Sequence, residues 1–174
     1  RNAAVKAEVI AAKARQAESE GRLAAAEARA ANTCVWSTFA GQCANGVSQG
    51  YGEVVYSRGS ASRGESFAGL LEGGKRVLGV FSSPVHPTVG SASQSRYEGQ
   101  FAPDVNNRAG GEYGLAVVYY HDGSSYQGEV ALGARDGFGV LRKSDGSRTE
   151  GRWSKNAPSE VVSWDANGSR IRSN

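Results

Sequence analysis

The 174-residue chain predicts a mainly β protein: a single elongated, twisted antiparallel sheet of stacked β-hairpins, preceded by a long N-terminal α-helix. Three observations carry this expectation. Residues 1–32 are dominated by alanine with interspersed Glu, Arg and Lys and no Pro, the composition of strong helix formers. After them, most of the chain's 24 glycines recur in a fixed rhythm. Large apolar residues are few, which suits a shallow sheet spread along repeats better than a thick sandwich core. Two segments follow, an Ala-rich helix or stalk over 1–32 and a repeat sheet over 33–174.

Fully helical, the first segment would run about 48 Å. A spacing of three and four residues picks out Val5, Val9, Ala12, Gln16, Ser19, Leu23, Ala26 and Ala30 as a seam. Three of its eight positions are alanine, and Gln16, Ser19 and the nearby Gly21 weaken its middle, so as a self-sufficient coiled coil it is poor. Two readings stay open here: a solvated helical spacer, or a helix that docks on its own sheet or on neighbouring chains.

From Phe39 the rhythm begins. Phe39 is followed by Gly41, Cys43, Gly46, Gly50 and Gly52 at offsets of 2, 4, 7, 11 and 13. Tyr126 is followed by Gly128, Val130, Gly133, Gly137 and Gly139 at the same offsets. Phe67 has Gly69, Leu71 and Gly74 before the pattern degenerates. Tyr97 has Gly99 and Phe101 before an insertion, and Thr149 has Gly151 and Trp153. Fixed-period self-similarity marks a repeat architecture, with units starting near 39, 67, 97, 126 and 149.

Each unit reads as a hairpin, and Asn45-Gly46 is the dipeptide that a two-residue type I′ turn prefers. Offsets 0, 2 and 4 share one face of a strand. With the turn at offsets 6 and 7, Gly128 is expected opposite Gly137 and Tyr126 opposite Gly139. The paired glycines leave bare backbone on which an aromatic ring can lie flat. A one-sided packing stripe of Phe39, Phe67, Tyr97, Tyr126 and Trp153 follows.

The stretches SYQGEVALGARDGFGVLRKSDGSRTEGRW and SRYEGQF resemble MORN repeats, whose units carry a Y-x-G-x-[FW]-x-x-G-x-x-x-G-x-G pattern. The likeness covers roughly residues 39–170, with Thr149 standing where the pattern has an aromatic. The stretch CVWSTFAGQCANGVSQGYG also resembles the first repeat of bacterial exported MORN proteins, in which two cysteines flank the opening strand. The resemblance implies a single-sheet, groove-like solenoid used for scaffolding, oligomerisation or lipid-headgroup binding, and no catalysis.

Cys34 and Cys43 are the only cysteines. A disulfide between them would pin the incoming chain to the first strand and cap an exposed sheet edge, and it would point to an exported location. Two reduced thiols, or a cysteine nucleophile served by His86 or His121, are the competing readings. Neither histidine has the company a catalytic base needs, since His86 sits in a Pro- and Ser-rich insertion and His121 precedes the Asp122-Gly123 turn. No metal-ligand spacing appears, and GFGVLR lacks the third glycine of a dinucleotide fingerprint. No cofactor is expected.

Insertions at 57–66, 82–96 and 102–112 bring Arg58, Arg63, Arg76, Arg96 and Arg108 in or beside them. If they converge, their planar donor forks suit carboxylates or phosphates. The net charge of +3 is mild and no Lys/Arg run resembles a nucleic-acid patch, so nucleic acid is not an expected partner. The chain begins at Arg1 and holds no methionine, so its true N-terminus is expected upstream and a missing signal pattern carries no weight. The expected function is a non-enzymatic scaffold or assembly module, binding other protein subunits as a homo- or hetero-oligomer in a periplasmic or cell-envelope complex. Its sheet and helix would make the contacts. The alternative is a binding module for anionic lipid or polysaccharide through the arginine-bearing loops, with contact to a membrane surface.

Overall fold

A computed structural model describes residues 2–36, 38–56, 64–84, 93–102, 104–105, 108–109 and 111–171, with residues 104, 105, 108 and 109 described by their backbone. The chain opens with helix α1 (Asn2–Ala31). Thirteen strands follow: β1 (Phe39–Ala44), β2 (Val47–Val55), β3 (Ser66–Glu72), β4 (Lys75–Ser82), β5 (Gln94–Phe101), β6 (Asp104–Val105), β7 (Arg108–Ala109), β8 (Glu112–Tyr120), β9 (Ser125–Ala131), β10 (Ala134–Arg142), β11 (Arg148–Ser154), β12 (Ala157–Trp164) and β13 (Arg170–Ile171). Eleven of them form one open antiparallel sheet in sequence order, from which β6 and β7 branch as a separate small hairpin. The protein is mainly β, with a single helix ahead of the sheet among the described residues.

Turn chemistry sets the hairpins. Asn45 and Gly46 have φ of 51° and 76°, and Leu132 and Gly133 have 52° and 77°, the paired positive values of a type I′ turn. The register differs from the expected one. Gly128 pairs with Gly139, and Tyr126 with Leu141, because a β-bulge between Arg135 and Gly139 takes up two residues. The same shift in the first hairpin pairs Gly41 with Gly52 rather than Gly50. Gly137 sits in the bulge at φ 104°, a conformation that favours glycine. The bulge leaves an amide without a ladder partner, and the side chain at offset 3 accepts from it. Gln42 Oε1 takes the Tyr51 N–H at 2.9 Å, Gln100 Oε1 the Leu115 N–H at 3.1 Å, and Glu129 Oε2 the Phe138 N–H.

The shifted register aligns one row across the sheet: Gly41, Gly52, Gly69, Gly79, Gly99, Ala116, Gly128, Gly139 and Gly151. On one face, rings from the adjacent row lie over it. A Cβ on Gly52 would stand 2.5 Å from Phe39 Cε2, and one on Gly79 would stand 2.8 Å from Phe67 Cε2. Phe67, Tyr97 and Tyr126 are fully buried and form the core with Phe39, Leu71, Phe101, Val118 and Val130. Trp153 joins the same core from a different row. It falls in the neighbouring row opposite Gly137, where its indole meets the Tyr126 ring edge-on at 5.9 Å.

The other face carries α1, which crosses β1 to β5 and β8 to β10. The helix turns inward not the 3-4 seam but Ala4, Ala7, Ala11, Ala14, Ala17, Gly21, Ala24, Ala25 and Ala28. Val5, Val9 and Leu23 point to solvent, and Ala12, Gln16, Ser19, Ala26 and Ala30 are exposed with them. The reason is the closeness of the two backbones, which leaves room only for minimal inward residues on the helix. A Cβ on Gly21 would lie 2.6 Å from both Gly52 O and Gly69 N. The spacer reading is thereby replaced by a docked helix.

Candidate functional site

Three surfaces come out of this arrangement: the ring face, the helix face and the two ends of the sheet. On the ring face the predicted stripe is core rather than presented surface. Its polar atoms are spent internally, with Tyr97 Oη donating to Gln100 O at 2.7 Å, Tyr126 Oη to Glu129 O at 3.0 Å and Trp153 Nε1 to Gly139 O at 3.3 Å. Burial holds the Tyr97 and Tyr126 phenols well above the usual tyrosine range. Arg76 lies 4.9 Å from the Phe101 ring centre and 5.5 Å from that of Phe81, and Arg135 lies 4.6 Å from Trp153. Glu112 accepts from Gln94 Nε2 at 2.6 Å, and burial raises its carboxyl pKa against the opposing pull of Gln94 and Arg76. A cleft of about 230 Å³ opens beside Tyr120, Asp122, Ser124, Arg135, Leu141 and Lys143. Its cations and carboxylates are mixed, so it carries no single-sign recognition.

On the helix face an ion-pair ladder links α1 to the sheet. Glu98, only 3% exposed, takes Arg15 and Arg96, the latter at 2.7 Å. Arg96 also reaches Glu18 at 2.8 Å, Glu18 meets Arg22 at 2.9 Å, and Arg29 meets Glu53 at 2.9 Å. Burial alone would raise the Glu18 carboxyl, but hydrogen bonds from Arg96 and Arg22 outweigh it and hold it below the usual range. The predicted arginine cluster does not assemble from the described members. Arg76 lies over the rings while Arg96 lies under the helix, on opposite faces. Arg58 and Arg63 lie outside the described residues, as does His86, and of Arg108 only the backbone is described. The acidic partners Glu18, Glu53 and Glu98 were missed from sequence. Alternation places Glu53 and Glu98 on the face opposite the rings, and that was the available signal.

The two ends of the sheet differ. At the first, Cys34 and Cys43 form a disulfide with Cα atoms 5.8 Å apart, Val35 bridges Ala40, and the Trp36 N–H donates to Phe39 O at 2.8 Å. Trp36 stacks on Phe39 at 5.0 Å. That edge is sealed, and with both sulfurs bonded neither is available as a nucleophile. The disulfide fits an oxidising, exported location. No helix among the described residues is long and apolar enough to cross a membrane.

At the other end, β13 pairs only with Ser163 and Trp164 of β12. The Asp165 N–H donates across to Ser169 O at 2.9 Å, and alternation from there turns the backbone groups of Ser163 and Val161 outward. Among the described residues none pairs with the outward side of Ala157 to Val161, and these five residues are exposed. Among the described residues no group of three or more His, Cys, Asp or Glu is placed to hold a metal ion. In comparisons with known proteins, no family model matches the chain and no curated protein matches it.

Proposed function

We propose that this chain is a MORN-type scaffold module that assembles with protein subunits in the periplasm or cell envelope, without catalysis of its own. The observation that carries the reading is the asymmetry of the sheet, pinned by a disulfide at β1 and, among the described residues, unpaired along the outer side of β12 before Ser163. An open edge offers main-chain donors and acceptors to a strand from another protein, the mode by which extended segments add to sheets. Sealing one end makes the addition directional. The half-buried Val162 and Trp164 flank that edge with apolar surface. Covering the sheet with α1 further confines contact to the edge and to the helix's outer side.

Val161→Pro is the test, because it removes an outward donor while leaving the β11 side of β12 intact. The tagged full-length chain, cross-linked in the cells that produce it, is expected to co-purify a discrete set of proteins that the Val161→Pro form loses. Recovery of the same proteins with both forms would contradict an edge-based scaffold. So would recovery of none together with salt-reversible binding to anionic vesicles, which would favour an anionic ligand instead.

A further inference from the structure

We propose that a second copy of this chain docks antiparallel along the outward face of α1. This deepens the assembly reading above, on which it rests, by naming the partner and its geometry. The outward face keeps the heptad spacing that the sheet does not use. Val5, Val9 and Leu23 are 64%, 53% and 57% exposed, in line with Ala12, Gln16, Ser19, Ala26 and Ala30. Laid antiparallel on a copy of itself, this seam pairs each large residue with an alanine. Val5 meets Ala30, Val9 meets Ala26 and Leu23 meets Ala12, while Gln16 meets Ser19 in two central polar layers able to hydrogen-bond. Large-against-small layers are what two helices need to interlock without voids.

The charges beside the seam carry the orientation. Lys6, Lys13, Glu20 and Glu27 follow one another at seven-residue steps, one per heptad, all exposed. None of the four makes a hydrogen bond or ion pair among the described residues. In an antiparallel pair Lys6 faces Glu27 of the second copy and Lys13 faces Glu20, four ion pairs in all by symmetry. A parallel pair would instead set Lys13, Glu20 and Glu27 against Glu8, Arg15 and Arg22 of the second copy, which are already engaged within each chain. The other flank of the seam is already committed to the sheet. There Arg15 is paired with Glu98, Arg22 with Glu18 and Glu53, Arg29 with Glu53, and Glu8 with Gln127. The approach of Arg15 to Arg22 of the second copy is thus between guanidinium groups that carboxylates already neutralise.

Light scattering and sedimentation equilibrium of the full chain over a dilution series test the pairing, with two charge variants. One is Glu20→Lys with Glu27→Lys, and the other is Lys6→Glu with Lys13→Glu. The wild type is expected to show twice the chain mass and to dissociate on dilution. Each variant alone is expected to stay at the monomer mass, and their equimolar mixture to recover the dimer. Circular dichroism of each variant checks that α1 persists. A wild type that is monomeric throughout overturns the helix pairing and leaves the strand-edge reading to its own Val161→Pro test. A wild-type dimer whose mass both variants retain overturns it too, since the contact then lies elsewhere. Helical variants that stay monomeric when mixed also overturn it.

Discussion

At Gly52 the backbone meets both faces of the sheet. Its missing Cβ leaves room for the Phe39 ring, and its carbonyl oxygen stands against Gly21 of the helix. Gly52→Ala is therefore expected to cost about 3 kcal/mol, because the new methyl meets a ring and the Ala40 carbonyl together. Gly46→Ala, in the first turn at φ 76° with open space around it, should cost only about 1 kcal/mol of backbone strain. Urea unfolding of the two variants separates the cases, and equal losses would mean that the glycine row is not a packing device. The rings and glycines were legible because their offsets repeat. The register was not, because a bulge inserts residues without altering the spacing of the glycines in sequence. Its sign was present in the polar residue at offset 3, Gln42, Gln100 or Glu129, whose oxygen serves the displaced amide.

Among the elements, α1 shows how a weakly apolar helix is held. Its buried side is alanine and glycine, so hydrophobic gain per residue is small. The ladder through Glu98, Arg96 and Glu18 supplies directional contacts that the seam of Val5, Val9 and Leu23 does not. In an isolated helix Gly21→Ala would stabilise by about 1 kcal/mol. Here the same change is expected to destabilise by about 1–2 kcal/mol, because the helix must lift from the Gly52 and Gly69 backbone. Thermal unfolding decides the sign, and a raised midpoint would contradict the close contact. The helix itself was plain in the composition of residues 1–32. Its inward face was not, because hydrophobicity ranks Val and Leu above Ala, whereas closeness to a bare sheet ranks them below.

Across the whole molecule, the sheet starts at a strand pinned by a disulfide, ends among the described residues at a partly paired β12, and carries rings on one face and a helix across β1 to β5 and β8 to β10 on the other. The strand order was readable from the repeat, since successive hairpins pair with their neighbours. The arginine cluster was not. Whether Arg76 and Arg96 meet depends on the face each takes, and a strand reverses that with every residue. The disulfide joins residues nine apart, and sequence alone left it beside the reduced-thiol reading. The helix is fixed to the sheet across β1 to β5 and β8 to β10 rather than swinging as a stalk. Hydrogen–deuterium exchange of the intact chain measures this directly. Amides of α1 from Ala7 to Ala28 are expected to be protected to the same order as those of β3 to β9. Exchange of α1 at the rate of a free helical peptide, beside a protected sheet, would contradict the account.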